Sequence, residues 1–214
     1  MYEAGLSISL YLVNSIAGSI YMQKFLREKY QKKVVLFAWT SLYYMLQSLV
    51  LDKIDRSYPL NDLAGVLGDI VFVLLLLMLL YHKDFLKQLF VAVSFVAGKE
   101  IIKYIIVVMN YGEYWAISKF SITLLKKITT MKEVEIWSAV FGVANGIVTI
   151  LLYALLLIVY LSIISRKFVR RDYHFKIHEY AFLILPSVST LCISITLKIL
   201  IFTVENGMTV IMFD

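Results

Sequence analysis

The sequence predicts an all-α fold: a polytopic bundle of about six transmembrane helices, with one further amphipathic helix lying in the membrane interface. Composition is the first reason. The chain is 61% hydrophobic and 17% charged, with two prolines in 214 residues and a mean hydropathy of +0.81, whereas soluble domains run nearer ~45–50% apolar and ~25% charged. The second reason is length, because six apolar runs are each long enough to cross a hydrocarbon layer of ~30 Å, which takes roughly 20 helical residues. The third is the placement of Lys and Arg, which gather in alternate connections as the retention of basic loops in the cytoplasm requires.

The first apolar run, residues 5–22, follows an N-terminus with Glu3 and no basic residue, a poor signal peptide and a better uncleaved first helix. The basic stretch KFLREKYQKK comes next. A second span, 34–51, is rich in aromatic and polar groups (Trp39, Tyr43, Tyr44, Gln47) and ends at the acidic loop DKIDRSYPLND, turned by Pro59. The third, 63–81, contains VFVLLLLMLL and one acid, Asp69, and leaves through HKDFLKQ. The fourth, 89–109, is the most polar, with Lys99, Glu100 and Lys103 in an otherwise apolar run.

The connection 110–135 is long for a bundle. In it Ile117, Phe120, Leu124, Leu125 and Ile128 recur at helical spacing opposite Lys119, Lys126 and Lys127, which predicts an amphipathic helix in the outer interface. A fifth span, 138–164, is longer than a membrane needs and is expected to tilt or project. It leads into SRKFVRRDYHFKIHEY, a dense basic loop. The sixth, 180–204, carries Pro186, Cys192 and Lys198, with a kink expected at Pro186 because proline removes a backbone donor and crowds the preceding turn.

Twelve of the 21 bases fall in the three loops assigned inside, six in the two connections assigned outside and three within spans. Both termini are therefore expected outside, in a multi-pass protein of the cell membrane whose first partner is the lipid bilayer. The formal charge of +6 does not indicate a nucleic-acid partner, since the bases flank apolar spans and do not line one soluble face. A lone cysteine excludes an intramolecular disulfide and a multi-cysteine metal site.

Ionisable groups inside apolar spans are functional candidates because they are costly there. Asp69, Lys103 and Lys198 fall at one depth, about 9 Å below the outer surface by residue count. The sequence therefore nominates them as a ligand-binding cluster, in which an Asp69–Lys103 pair with Lys198 leaves one positive charge for a ligand carboxylate. The plainer alternative makes Asp69–Lys103 a structural pair while Lys99 and Lys198 turn toward the interface. Glu100 sits near the midplane and can pair with Lys103 at i,i+3. Cys192 reads as a small buried apolar residue, with no base within reach to make it a nucleophile. HExxH, GxSxG and Walker patterns are absent, and no catalytic residue, cofactor or metal ion is expected.

The N-outside first helix, the basic first loop, the stretch SFVAGKEIIKYII, the second basic loop and HEYAFLILPSVSTLCISITLKIL together resemble the membrane region of GHKL-type sensor histidine kinases of Gram-positive bacteria, some of which receive secreted peptide signals. The likeness spans nearly the whole chain. Its most specific part is 178–200, where Pro186 and then the basic Lys198 follow the basic loop. It implies a six-helix sensor domain of a two-component, quorum-sensing-like system, with a further helix, a phosphoacceptor region and an ATP-binding domain that these residues do not include. The expected partner is an extracellular peptide or small ligand, and the expected assembly is a homodimer. A six-helix substrate-binding or accessory subunit of a transporter is the alternative. The topology has a direct test: single cysteines introduced near Arg170 should resist an impermeant thiol reagent in intact cells, while those near Pro59 and Thr130 should react. The reverse pattern defeats it.

Overall fold

The computed structural model describes residues 2–49, 59–82, 84–125 and 131–168 and, further on, 184–193, 195–197, 199, 200 and 203. Five long helices carry the fold: α1 (Tyr2–Phe25), α2 (Lys32–Leu49), α3 (Pro59–Leu80), α4 (Phe85–Leu125) and α5 (Met131–Phe168). A shorter apolar helix, α6, runs over Ile184–Leu197. No strand occurs among the described residues; the sole β feature is an isolated bridge between Glu28 and Tyr81.

Helix ends follow local chemistry. Pro59 opens α3, where its fixed φ and missing N–H are tolerated, and Asp62 in the first turn complements the positive end of the helix dipole. Asp84 caps α4 by accepting the backbone N–H of Lys87 at 3.2 Å. Most helices are longer than the apolar runs that predict them, because flanking Lys and Glu are good helix formers even though they end a hydrophobic stretch.

The fourth span shows this most clearly. It does not stop at Met109: α4 runs unbroken to Leu125, and residues 110–125 add roughly 24 Å of helix at about 1.5 Å per residue. The interfacial helix expected in 110–135 is thus not a separate element, and α5 begins at Met131, ahead of the expected 138. The helical spacing of Ile117, Phe120 and Leu124 was a true signal of helix. What it could not specify was a break. Neither Asn110 nor Gly112 supplies one.

α1 packs on α2 and α5, α3 on α4, α4 on α5, and α2 on α3, so the five helices close a ring that α1 and α4 span from within. At one end, the loop after α1 and the turn after α3 are zipped together. Lys29 N–H donates to the Leu80 carbonyl and His82 N–H to the Arg27 carbonyl, both at 3.0 Å. The Lys29 ammonium donates to the Met78 carbonyl, and the Gln88 amide to the carbonyls of Leu77 and His82 at 3.3 and 3.0 Å, satisfying groups that a helix end leaves open. The Tyr81 phenol is buried beside them, and burial, with the Glu28 charge second, holds its pKa above the usual tyrosine range. Because Lys24, Arg27, Lys32, Lys33 and Arg166 are exposed here, this is the basic end of the bundle.

The interior next to the basic end is aromatic. Tyr21, Phe25 and Phe90 meet edge to face, Trp39 stacks on Tyr43, and both contact Phe95. Two polar pairs lie within it: Tyr21 and Ser94 share a hydrogen bond of 2.7 Å, and Trp39 Nε1 donates to the Ser15 carbonyl. The outside is the reverse of a soluble protein's. Ile8, Leu12, Ile16 and Ile20 form an exposed stripe on α1, Leu67, Val71 and Leu75 on α3, and Leu151, Leu155 and Ile158 on α5, while Asp62, Asp69, Lys99 and Glu100 are buried.

Two helices, Asn61–Leu80 and Gly142–Arg166, are long and apolar enough to cross a membrane. Charged side chains that face the interior take α4 outside that description. Of the sixth expected span, 180–204, the described residues show the shorter apolar helix α6, in which Pro186 lies in the first turn and Thr190 Oγ1 donates to its carbonyl. The preceding basic loop, with Arg170, Arg171 and Lys176, lies outside the described residues, as do Lys198, His174 and His178.

Two close approaches depend on glycine. A Cβ at Gly18 would lie 2.9 Å from the Phe95 ring, and one at Gly98 would collide with the ring of Tyr160, whereas Gly68 and Gly142 face open space. Gly98→Ala should therefore destabilise the bundle by about 1–3 kcal/mol through overpacking. Gly68→Ala should be neutral or stabilise it by up to about 1 kcal/mol. Thermal unfolding of the purified variants checks both, and equal effects would show that the α4–α5 contact is not tight.

Candidate functional site

Three helices deliver charged or phenolic groups to one buried point. Asp69 from α3 is fully buried and forms an ion pair with the Lys99 ammonium from α4. The Tyr43 hydroxyl from α2 donates to Asp69 Oδ1 at 3.1 Å, and Lys99 Nζ donates to the Tyr43 oxygen at 3.2 Å. The same ammonium lies 5.8 Å from the centre of the Tyr43 ring. α1 and α5 join at a neighbouring contact, where the Tyr153 hydroxyl donates to Asn14 Oδ1 at 2.6 Å. Glu100 is within electrostatic reach of the Tyr43 and Tyr153 phenols. Every helix of the ring thus contributes a polar group to the interior.

A second layer lies farther from the basic end. The Tyr104 hydroxyl donates to Asp62 Oδ2 at 2.7 Å. The Lys103 ammonium stands 3.7 Å from Asp62 Oδ1 and 3.6 Å from Glu100 Oε2, and 5.5 Å from the centre of the Tyr104 ring. Lys103 is 39% exposed while the two carboxylates are buried, so it is the member of the network that reaches the surface. Gln47, one turn beyond Tyr43 on the buried face of α2, places its side-chain carbonyl oxygen in the interior with no hydrogen-bond partner.

The structure places four of the five sequence candidates in two neighbouring ion pairs, Asp69 with Lys99 and Glu100 with Lys103. The fifth, Lys198, lies outside the described residues. The expected i,i+3 contact between Glu100 and Lys103 is present. The expected Asp69–Lys103 pair is not, since Asp69 pairs with Lys99 and Lys103 pairs with Asp62 and Glu100.

The reason is register. Depth counted from helix ends at 63 and 109 misplaces both residues, because α3 begins at Pro59 and α4 continues to Leu125. Counted from the short turn between Leu80 and Phe85, Asp62 and Lys103 lie equally far along their helices. Asp69 lies nearer the level of Lys99, whose long side chain bends back to it. Lys99 accordingly does not turn toward an interface but is buried.

Asp62, Tyr43 and Tyr104 escaped the sequence reading. Asp62 looked like a loop acid, yet its spacing of seven residues from Asp69 places both on one face of a helix that starts at Pro59. The α2 face Val35, Trp39, Tyr43 and Gln47 was equally legible as a four-residue repeat. Cys192 is exposed, contrary to the expectation of a buried residue, because α6 covers the ring through Ile184 and Leu191 and turns Cys192 away. Among the described residues no group of three His, Cys, Asp or Glu side chains could hold a metal ion.

Removing one partner of a buried pair strands the other charge, at a cost of about 3–5 kcal/mol. Asp69→Asn or Lys99→Met alone should therefore lower the unfolding temperature sharply, and the double variant should recover much of the loss. Additive losses would show that the two groups do not act as a pair.

The chain matches no protein-family model, no curated protein and no solved structure.

Proposed function

We propose that this chain is a multi-pass membrane sensor that binds an external signal, a peptide or a small molecule, at the Asp62–Lys103 end of its polar core and relays it to a cytoplasmic output. The observation that carries the reading is the stacking of two polar clusters along α3 and α4, one around the half-exposed Lys103 with Asp62 and Glu100, the other the buried Asp69–Lys99 pair with Tyr43 of α2, with Glu100 within electrostatic reach of the Tyr43 phenol. Exposed Ile and Leu stripes around buried charges support placement in lipid, where apolar faces have no reason to hide. The cluster of exposed bases at the zipped end supports a cytoplasmic location for that end and an external one for Asp62, Gln47 and Lys103.

Relay has a physical basis in the contacts behind the network. Gly98, adjacent to Lys99, is packed against the Tyr160 ring of α5, and Tyr160 hydrogen-bonds Ser187 of α6. A change in the charge pairing of α4 can therefore shift α4 against α5 and α6, the kind of repacking by which two-state helical elements couple distant sites. The histidine kinase implied by the resemblance is the output this reading names. A transporter subunit is the second reading, supported by the exposed basic end, which would suit docking on an energising partner.

Hydrogen exchange on the protein in lipid nanodiscs checks the coupling. Lys103→Ala should speed amide exchange in the basic half of α5 and in α6, remote from the substitution. Changes confined to α3 and α4 near Lys103 would reject the relay.

A further inference from the structure

We infer that Asp62 and Glu100 form an exchangeable cation site, which the protein's own Lys103 ammonium occupies here and which takes the ammonium or guanidinium group of an external ligand in its place. The ligand class rests on the sensor reading above; the site itself does not. Lys103 sits at 3.7 and 3.6 Å from the two carboxylates, outside hydrogen-bond length, so Coulomb attraction holds it and no directed bond has to break when it leaves. Its flexible stem and 39% exposure give the ammonium a route to water.

The surroundings suit an organic cation. The Tyr104 ring lies under the ammonium, and its hydroxyl is tied to Asp62 Oδ2 at 2.7 Å, which fixes one aromatic wall. Two buried carboxylates form the other side. Gln47 adds an acceptor: its residue is 4% exposed, its carbonyl oxygen has no hydrogen-bond partner, and it lies on the inward face of α2 at a level between Asp69 and Asp62. A planar or multi-donor cation could donate there, which Lys103 does not do. Exchange of one cation for another leaves the charge beside the buried carboxylates unchanged, so the ligand need not overcome the cost of removing a counter-charge from them. A ligand carboxylate, by contrast, would meet the two buried carboxylates Asp62 and Glu100, so this site favours a ligand of positive charge over the carboxylate expected from the sequence.

The test uses the full chain in nanodiscs with ethylguanidinium as the probe. In the wild type, ethylguanidinium should displace Lys103 into water and raise its acylation by an amine-reactive reagent several-fold relative to exposed Lys32, read by mass spectrometry. In Lys103→Ala, ethylguanidinium should raise the unfolding temperature saturably, sodium chloride at equal ionic strength should not, and Asp62→Asn in the same background should abolish the effect. An unchanged Lys103 to Lys32 ratio, or rescue that sodium chloride reproduces or that survives Asp62→Asn, overturns the site. Should Lys103→Ala not fold, the acylation ratio alone decides. Because neither measurement involves signal relay, failure of the site and failure of the sensor reading give separate results.

Discussion

The ion pair between Asp69 and Lys99 constrains the rest of the molecule. Two full charges removed from water are tolerable only when each finds an opposite charge and its remaining hydrogen-bonding capacity is met. Tyr43 meets part of that requirement, donating to Asp69 while accepting from Lys99. Three helices must therefore hold one relative register, because a slip of a residue on any of them would separate the partners. Apolar contacts alone impose no such demand, since Leu and Ile side chains slide past one another at small cost. The pair contributes little net stability against an apolar substitute, and its effect is on which packing is adopted.

The turn at the basic end holds the same register from the other side. α3 and α4 are joined by so few residues that their levels are linked, and the Glu28–Tyr81 bridge ties the α1–α2 connection to that turn. One end is zipped by backbone hydrogen bonds and the middle is pinned by charge, whereas Lys103 meets the surface farther along the bundle, where α4 continues to Leu125. Rigidity and exposure are thus separated along the bundle axis. The glycines at 18 and 98 allow the close crossings that this arrangement needs, with aromatic rings of a neighbouring helix filling the space a side chain would take.

The inverted distribution of polarity gives this network its weight. Buried Asp, Lys and Glu behind outward Ile, Leu and Val sit in a low-dielectric interior, so their interactions are screened far less than surface charges would be. A displaced ammonium or a lost phenol hydrogen bond would then be felt at the neighbouring helix contacts. Under the membrane sensor reading, this is how a small charged group at the external end could bias the packing of the whole ring.

The sequence by itself determined the all-α class, the places where most helices lie and three of the charges buried in the interior, Asp69, Lys99 and Glu100. These follow from local signals: apolar runs, helical spacing and lysines or acids in the middle of such runs, each readable within one or two turns. The tertiary structure decided the partners. Asp69 takes Lys99 thirty residues away, Asp62 joins Lys103, Tyr43 enters from α2, and α4 passes through Asn110 without a break. Pairing across helices depends on register, which is set by turn length and by where each helix truly begins, and hydropathy reports only where a chain stops being apolar. Helices continue past that point because Lys and Glu are good helix formers, so depths counted from apolar boundaries were displaced and the first pairing drawn from them was wrong.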